Sequence, residues 1–525
     1  MAEDLSSTPT KGGEEHVEKP SLNEKTAVYE HAKSKHHDPN WTGEGLDTSH
    51  VDPKRVLRKM DLRLIPMLAI LYLLSFLDRG NIGNAKIQGM ETDLDLSGNE
   101  YNLCATVFFF TYCAFEIPSN LLLKRLRPSV WLPSIMVAWG TVMTLMGLVQ
   151  SYHGLLIARI FLGVTEAGLY PGVAYYLTMW YCTEDLAFRQ SLFFSAASVA
   201  GAFSGLLAYA IAKMDGVAGQ AGWRWIFILE GIVTVVVACA AFFLLYDFPD
   251  TASFLSPEEK AWVVHRLKYQ GSKKSGRVVA ESDHFDWKFV GKGKSFHAPL
   301  TDWQLYLSLF MYWGIVCPLY GISFFLPTII KELGYKSTTA QLLTIPIYIS
   351  AAILAVIVGW SSDRATKRGA SRWPYIFIPM CAILVGFIIA IAGSAAGDIP
   401  GVVYAGVFIA TCGIYPAFPG NVTWIANNLA GSYKRSAGMA LQIGLGNLGG
   451  AMASNFYRSV DAPKYLLGHG LEIMFVVLGL AAVVTLRISY GVINKKRERS
   501  GAAEGYTDEQ LADLGDKSPS FRYTL

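Results

Sequence analysis

The sequence has few charged residues for its length. Only 17% of its 525 residues are Asp, Glu, Lys or Arg, against roughly 25% in soluble proteins. Basic and acidic residues nearly balance, at 45 and 42, so the charge gives no reason to expect a nucleic-acid partner. Hydrophobic residues make up 52% of the chain. These proportions exclude a disordered chain and an ordinary cytosolic enzyme.

Cysteine and chemical motifs are also scarce. The seven cysteines are scattered rather than paired at a metal-ligand spacing, so we expect no disulfide and no metal site. HExxH and phosphate-loop motifs are absent, as is any nucleophile–base pattern, so we predict that the protein is not an enzyme and needs no cofactor. Residues 444–449 match GxGxxG but lie inside an apolar stretch, where glycines favour close helix packing.

Long apolar stretches, in contrast, are abundant. Twelve of them approach the roughly 20 residues that cross a ~30 Å hydrocarbon core as a helix, and the alternating pattern of a membrane barrel is absent. The predicted spans are 62–83, 101–123, 131–150, 154–180, 190–212, 224–246, 304–330, 340–361, 374–393, 401–427, 436–458 and 468–492. The prediction is an all-α membrane protein with twelve transmembrane helices in two six-helix, pseudo-symmetric halves.

Polar segments divide the chain into five parts. These are a disordered cytosolic tail, an N-terminal half, a charged cytosolic loop, a C-terminal half and a second cytosolic tail, over residues 1–60, 61–246, 247–303, 304–493 and 494–525. Lys and Arg concentrate in the tails and in the even-numbered connections. The positive-inside rule therefore places both termini in the cytosol.

A few ionisable residues interrupt the apolar stretches of the first half, where charge is costly and usually functional. Arg159, Gly163 and Glu166 share one helix face by their i, i+4, i+7 spacing. Arginine suits a carboxylate ligand and a desolvated glutamate suits a proton, although an Arg–Glu pair that only locks helices remains an alternative. Asp78 and Arg79 lie two-thirds along the first span, with a helix-end anchor as the alternative interpretation.

The other charged residues at membrane depth suggest structural roles. Glu116 and Glu230 are interpreted as packing or gating residues, and Glu472 lies near a helix end, where it can reach the interface. At the turn between spans eight and nine, Gly359, Asp363 and Arg364 are interpreted as conformational. There glycine permits close helix approach, and the aspartate can accept from neighbouring helix N-termini.

Four segments together resemble the major facilitator superfamily and, within it, the anion:cation symporters of the fungal allantoate permease group. They are residues 77–81 (LDRGN), 116–120 (EIPSN), 159–172 (RIFLGVTEAGLYPG) and 223–231 (WRWIFILEG). The resemblance covers residues 55–495. The chain departs from the superfamily pattern at the turn between spans two and three, where the usual acid is missing.

The resemblance implies specific roles for six residues. Asp78 and Glu166 match proton-coupling acids, while Arg79 and Arg159 match arginines that bind substrate or gate the site. Tyr112 and Asn447 match polar positions that line the substrate cavity in relatives. Proteins of this group carry organic anions such as nicotinate, pantothenate, biotin, allantoate and ureidosuccinate, usually with protons.

The expected function is therefore a proton-coupled symporter that imports a small organic monoanion by alternating access, with a nicotinate-like vitamin acid favoured. Allantoate, ureidosuccinate or pantothenate transport is the alternative. A plasma-membrane nutrient sensor without net flux is a second alternative from another class. We expect a multi-pass monomer in the plasma membrane, with the anion, protons and the lipid bilayer as its partners.

Overall fold

The computed structural model describes residues 46–182, 184–268, 302–334, 337–395, 399–430, 432–457, 461, 464–499 and 514–525. Helices make up most of these residues, and the described ranges contain no β-strand. Lipid offers no partners for open backbone, so helices that satisfy their own N–H and C=O groups are the expected solution.

Seven long helices build the first half. They are α1 (Pro53–Ile87), α2 (Gly98–Arg125), α3 (Pro128–Met146), α4 (Tyr152–Glu166), α5 (Leu169–Trp180), α6 (Leu186–Ala212) and α7 (Gly222–Leu244). Helices α4 and α5 follow each other closely and form one span. The shorter helix α8 (Pro257–Lys268) follows the first half.

Six long helices build the second half. They are α9 (Trp303–Glu332), α10 (Ser337–Lys367), α11 (Pro374–Ala395), α12 (Pro400–Asn428), α13 (Ser432–Ala453) and α14 (Leu466–Arg499). Among the described residues, ten spans are long and apolar enough to cross a membrane. Helices α2 and α13 are less apolar than these ten spans, and with them the structure has the twelve predicted transmembrane helices. The predicted fold class is confirmed.

Helices α2 and α13, which carry more polar residues, face each other across the two halves. Thr106 Oγ1 of α2 lies 3.3 Å from Ser454 Oγ, just beyond the end of α13. Glu116 of α2 and Asn447 of α13 are buried. These side chains face protein rather than lipid, so polarity there is tolerated.

Two helices extend past the segment limits predicted from the sequence. Helix α1 begins at Pro53, ahead of the predicted boundary at residue 61, and α14 continues to Arg499 rather than ending at 493. Residues 1–45 of the predicted tail and 269–301 of the predicted loop lie outside the described residues.

Glycines allow α11 and α12 to pack in direct backbone contact. A Cβ atom on Gly406 of α12 would lie 2.6 Å from Ala390 N and 2.6 Å from Gly386 O of α11. We expect Gly406→Val to destabilise the protein by about 1–3 kcal/mol, because overpacking pushes the helices apart. Thermal unfolding in detergent measures this. Gly401→Val is the matched control on the same helix, since a Cβ there meets nothing within 4 Å, and equal unfolding temperatures would contradict the prediction.

The segment 514–525 packs against one end of the second half. Asn428 Oδ1 of α12 accepts from Thr524 N at 2.7 Å, and Asn494 Oδ1 of α14 accepts from Tyr523 N at 2.9 Å. Arg497 of α14 donates to the carbonyls of Phe521 and Asp516. The Tyr523 and Tyr490 rings stack with centroids 4.6 Å apart. This docked segment therefore links the ends of α12 and α14.

Candidate functional site

A buried ion pair lies at the centre of the first half. Arg79 Nε of α1 donates to Glu166 Oε1, the last residue of α4, at 2.7 Å. Ser75 Oγ, one turn before Arg79, donates to the same oxygen at 2.5 Å. Glu166 is fully buried and Arg79 is only 7% exposed. Because water is excluded, each charge depends on the other for compensation.

The same arginine also contacts the second half. Arg79 Nη1 donates to Tyr320 Oη of α9 at 3.0 Å, and Tyr320 Oη donates to Asn447 Oδ1 of α13 at 3.1 Å. Arg79 Nη2 is buried and has no hydrogen-bond partner among the described residues. The hydrogen-bonded series Glu166–Arg79–Tyr320–Asn447 therefore joins the two halves, and the Nη2 group of Arg79 remains unused.

Aromatic rings surround this chain of hydrogen bonds. The Arg79 guanidinium lies 5.1 Å from the Tyr112 ring and 5.8 Å from the Phe108 ring, both on α2. Farther along the interface, Phe194 of α6 stacks on Phe418 of α12 with centroids 4.2 Å apart. Several buried hydroxyls in this region lack a partner within the described ranges, those of Tyr112, Tyr170, Tyr312 and Tyr415. The site is thus enclosed, aromatic and supplied with unused donors.

The structure places Asp78 away from this site. Its Oδ2 accepts from Trp139 Nε1 of α3 at 2.8 Å and from Thr234 Oγ1 of α7 at 3.3 Å. One turn along α1, Asn81 donates to Glu230 Oε2 at 2.8 Å. Asp78 and Arg79 are adjacent in sequence, yet they point to different helices. Asp78 belongs to a cluster inside the first half.

Arg159 lies within electrostatic range of Glu166, but its Nε and Nη2 atoms make no hydrogen bond to the Arg79–Glu166 pair. Its side chain is 2% exposed and interacts electrostatically with Tyr101 and Cys104 of α2 and, more weakly, with the two acids Glu166 and Asp78. Its Nε and Nη2 atoms have no hydrogen-bond partner in the described part of the chain. Between Arg159 and Glu166, a Cβ on Gly163 would lie 3.1 Å from Tyr112 N. The predicted common face of α4 therefore packs against α2, while Glu166 reaches onward to α1.

At the end of the helices that lies next to α8, Asp363 of α10 accepts hydrogen bonds from the start of α6. Its oxygens accept from Ala187 N at 3.2 Å and Phe188 N at 2.8 Å, and from Arg372 Nη2 at 3.0 Å. A Cβ on Gly359 would lie 2.6 Å from Ser191 Cβ, so α6 and α10 nearly touch there. Arg364 instead lies over the Trp360 ring at 5.2 Å.

A second acid, Asp185, was not singled out from the sequence, although its place between two spans was a usable signal. It contacts Lys367 of α10, and Arg266 Nη2 of α8 lies 2.7 Å from its Oδ2. Burial raises the pKa of this carboxyl, but the Lys367 hydrogen bond and the Arg266 charge outweigh that effect and lower the pKa below its usual value. Its stabilising contribution is lost only as the pH falls through that lowered pKa. The contact therefore stays ionised at neutral pH.

We expect Asp363→Ala to loosen the contact between α6 and α10, because two N–H groups of α6 and Arg372 lose their acceptor. A Cys substituted at Ser191, which is 2% exposed, should then react faster with a membrane-impermeant maleimide in inside-out vesicles. Arg364→Ala is the neighbouring control and should leave the labelling rate unchanged. Equal labelling rates of Ser191→Cys with and without Asp363→Ala would contradict the prediction.

Glu472 corrects the sequence interpretation. It was expected near the interface at a helix end, but it is fully buried on α14, and neither carboxyl oxygen has a partner among the described residues. It faces Gly321 of α9. The expectation was wrong because hydropathy locates a residue along a helix but not which side of the helix it occupies.

Comparisons with known proteins agree on one family. The pattern of the Major Facilitator Superfamily matches residues 68–454. The MFS-type transporter cnsO of Penicillium expansum is 37% identical over 486 residues, which cover 90% of each chain. The high-affinity nicotinic acid transporter of Saccharomyces cerevisiae is 32% identical over 90% of this chain and 85% of that protein. The solved structure of the proton:xylose symporter XylE is similar in fold, with a TM-score of 0.61, 12% identity and coverage of 81% and 95%.

Proposed function

Because the chain belongs to the major facilitator superfamily, a family of membrane transporters and not of enzymes, we propose that it imports a small organic monoanion together with a proton. Transport proceeds by alternating access of a site between the two halves to either side of the membrane. The proposed substrate carries one carboxylate and has the size of a vitamin acid.

The observation that carries this proposal is the Arg79–Glu166 pair. Arg79 hydrogen-bonds to both halves, through Glu166 and Tyr320. A substrate carboxylate suits the same fork, because two parallel N–H donors match its two oxygens. Glu166 therefore occupies in the empty protein the position that the substrate carboxylate takes in the loaded one.

Proton coupling follows from competition for Arg79. On the acidic side, protonated Glu166 releases the guanidinium, and the substrate carboxylate replaces it. Once the site faces the cytosol, Glu166 loses its proton to water, and its carboxylate reclaims Arg79 and expels the anion. In every closed state Arg79 is paired with one carboxylate, either that of Glu166 or that of the substrate. The guanidinium therefore never crosses the membrane as an unpaired charge.

Asp78 does not take part in this exchange in our proposal. Its carboxylate accepts from Trp139 and Thr234 rather than from an arginine. Of the two acids predicted to couple protons, Glu166 is therefore the one in position to compete with substrate. Arg159, with two unpaired donors near the start of α2, is proposed to attract the anion on its way to Arg79.

The surrounding rings favour a flat or apolar monoanion. Tyr112 and Phe108 flank Arg79, and planar substrates gain from stacking on such rings. We propose nicotinate as the first candidate, supported by the named activity of the yeast relative. Pantothenate, allantoate and ureidosuccinate are the alternatives, since the unpartnered tyrosine hydroxyls also suit amide and ureido groups.

We further propose a plasma-membrane monomer with cytosolic termini. Lys59 near the start of α1 contacts Glu259 of α8 at 2.5 Å, so the first span begins on the side of the charged central segment. The basic residues of that side, such as Lys367 and Arg372, support a cytosolic assignment.

Uptake into a yeast strain that lacks its own vitamin and ureido acid permeases tests the proposal. Radiolabelled nicotinate should accumulate, faster at acidic external pH, and a protonophore should abolish the accumulation. The same protein in liposomes should concentrate the substrate when the outside is acidified. The proposal fails if no acid of the panel is taken up, or if uptake proceeds equally without a pH gradient.

A further inference from the structure

Glu116 is a fully buried acid for which the proposed exchange has no use. Neither of its carboxyl oxygens has a hydrogen-bond partner in the described part of the chain. It lies ten residues, or about 15 Å, along α2 from Thr106, which touches the outer end of α13. Glu116 is therefore near the middle of the membrane and not at a helix end.

The carboxyl group lies between the two halves. A Cβ atom on Gly444 of α13 would be 3.0 Å from Glu116 Oε2. Gly444 is one turn before Asn447, which belongs to the hydrogen-bonded chain of the site. Any movement that separates α2 from α13 thus exposes this carboxyl group to water, and any movement that closes them removes the water.

Several titratable or charged groups interact electrostatically with Glu116, but none of them donates a hydrogen bond to its carboxyl group. They are Arg79 of α1, Tyr112 and Cys113 of α2, Tyr170 of α5, and Tyr312 and Tyr320 of α9. The hydrogen bonds of Arg79 go to Glu166 and Tyr320. An ionised Glu116 would be an uncompensated charge in the closed protein, which is strongly unfavourable.

We propose that Glu116 is a proton-binding site whose occupancy permits the halves to close. The protonated, neutral carboxyl group fits the dry contact with α13. When α2 and α13 separate, water solvates the group and its O–H bond can break, with the proton passing to water. Closure requires the proton both when the carrier is loaded and when it is empty, so the Glu116 proton crosses once in each direction. Glu116 therefore sets the rate of alternation and adds no proton to the net transport stoichiometry.

This role differs from that proposed for Glu166 and does not depend on the substrate. Glu166 exchanges its proton for a contact with Arg79, whereas Glu116 has no competing cation within hydrogen-bond distance. Rising pH should therefore favour open conformations of the substrate-free protein, by up to about tenfold per pH unit above the titration midpoint. The effect should appear even if the transported acid is misidentified.

Glu116→Gln and Glu472→Gln form a matched pair of variants. Glutamine keeps the shape of the neutral acid but cannot ionise. Glu472 is also a fully buried glutamate with two unpartnered oxygens, but it packs between α9 and α14 of one half. Its surroundings are not parted when the halves separate, so its replacement should leave the pH response intact.

Spin-label distances in lipid nanodiscs, measured without substrate from acidic to alkaline pH, test the inference. Exposed positions Thr92 and Lys464 report the outer ends of the halves, and Leu126 and Arg368 report the inner ends. The wild type and Glu472→Gln should lose the closed population as the pH rises, whereas Glu116→Gln should stay closed throughout. A pH-independent wild type, or a Glu116→Gln protein that opens like the wild type, overturns the proposal.

Discussion

Arg79→Lys is expected to lower the rate of proton-driven uptake by about a hundredfold. Lysine keeps the charge but not the planar fork, so the contacts to Glu166 and Tyr320 cannot both form. A loss of about 3 kcal/mol, typical of one or two charge-assisted hydrogen bonds, corresponds to that factor. Initial rates of substrate uptake into liposomes under an inward proton gradient provide the measurement.

Arg224→Lys is the control for this substitution. Arg224 lies at the start of α7, away from the site, and donates to the carbonyls of Gly147 and Val149 just after α3. Its replacement should leave uptake near the wild-type rate. Both variants must reach the membrane in equal amounts. Wild-type uptake by Arg79→Lys would show that the bidentate geometry of the guanidinium is not used.

Glu166→Gln is expected to separate exchange from accumulation. Glutamine resembles the protonated acid, so Arg79 remains available to the substrate and the loaded carrier can still alternate. The variant cannot reclaim Arg79 on the cytosolic side, because it has no carboxylate to compete with. Counterflow of labelled against unlabelled substrate should persist, while uphill accumulation driven by a pH gradient should disappear.

Glu91→Gln supplies the control for the Glu166 experiment. Glu91 forms a partly exposed ion pair with Lys86 at 3.0 Å, a contact that contributes little, so accumulation should be retained. If Glu166→Gln still accumulated substrate against its gradient, another acid would have to carry the proton. Loss of counterflow in Glu166→Gln would instead indicate that the acid is needed to hold the site together.

Hydropathy and length were enough to predict the twelve spans, because lipid permits so few alternatives. The ends shifted where polar helix turns extend beyond the bilayer, as in α1 from Pro53 and α14 to Arg499. Like the more apolar α6 and α10, both helices that fall short of a simple apolar threshold, α2 and α13, lie between the halves. Their polarity reflects burial against protein, which composition alone does not reveal.

The partners within the site were less accessible to sequence reasoning. The spacing of Arg159 and Glu166 predicted a common face of α4, and that face does pack against α2 at Gly163. Periodicity did not indicate that Glu166 would pair with Arg79 from another helix, nor that Asp78 would turn away to Trp139. Such contacts depend on how helices are rotated against each other, and a single sequence contains little information on that.

The docked segment 514–525 has a practical consequence for any fusion protein. Arg372 N donates to the carbonyl of Leu525, and Thr524 and Tyr523 are held by Asn428 and Asn494. A fluorescent reporter joined directly after Leu525 would strain the contact with Arg372, which also donates to Asp363. Reporters for expression or trafficking are therefore better joined to Leu525 through a flexible linker, which leaves these contacts free to form.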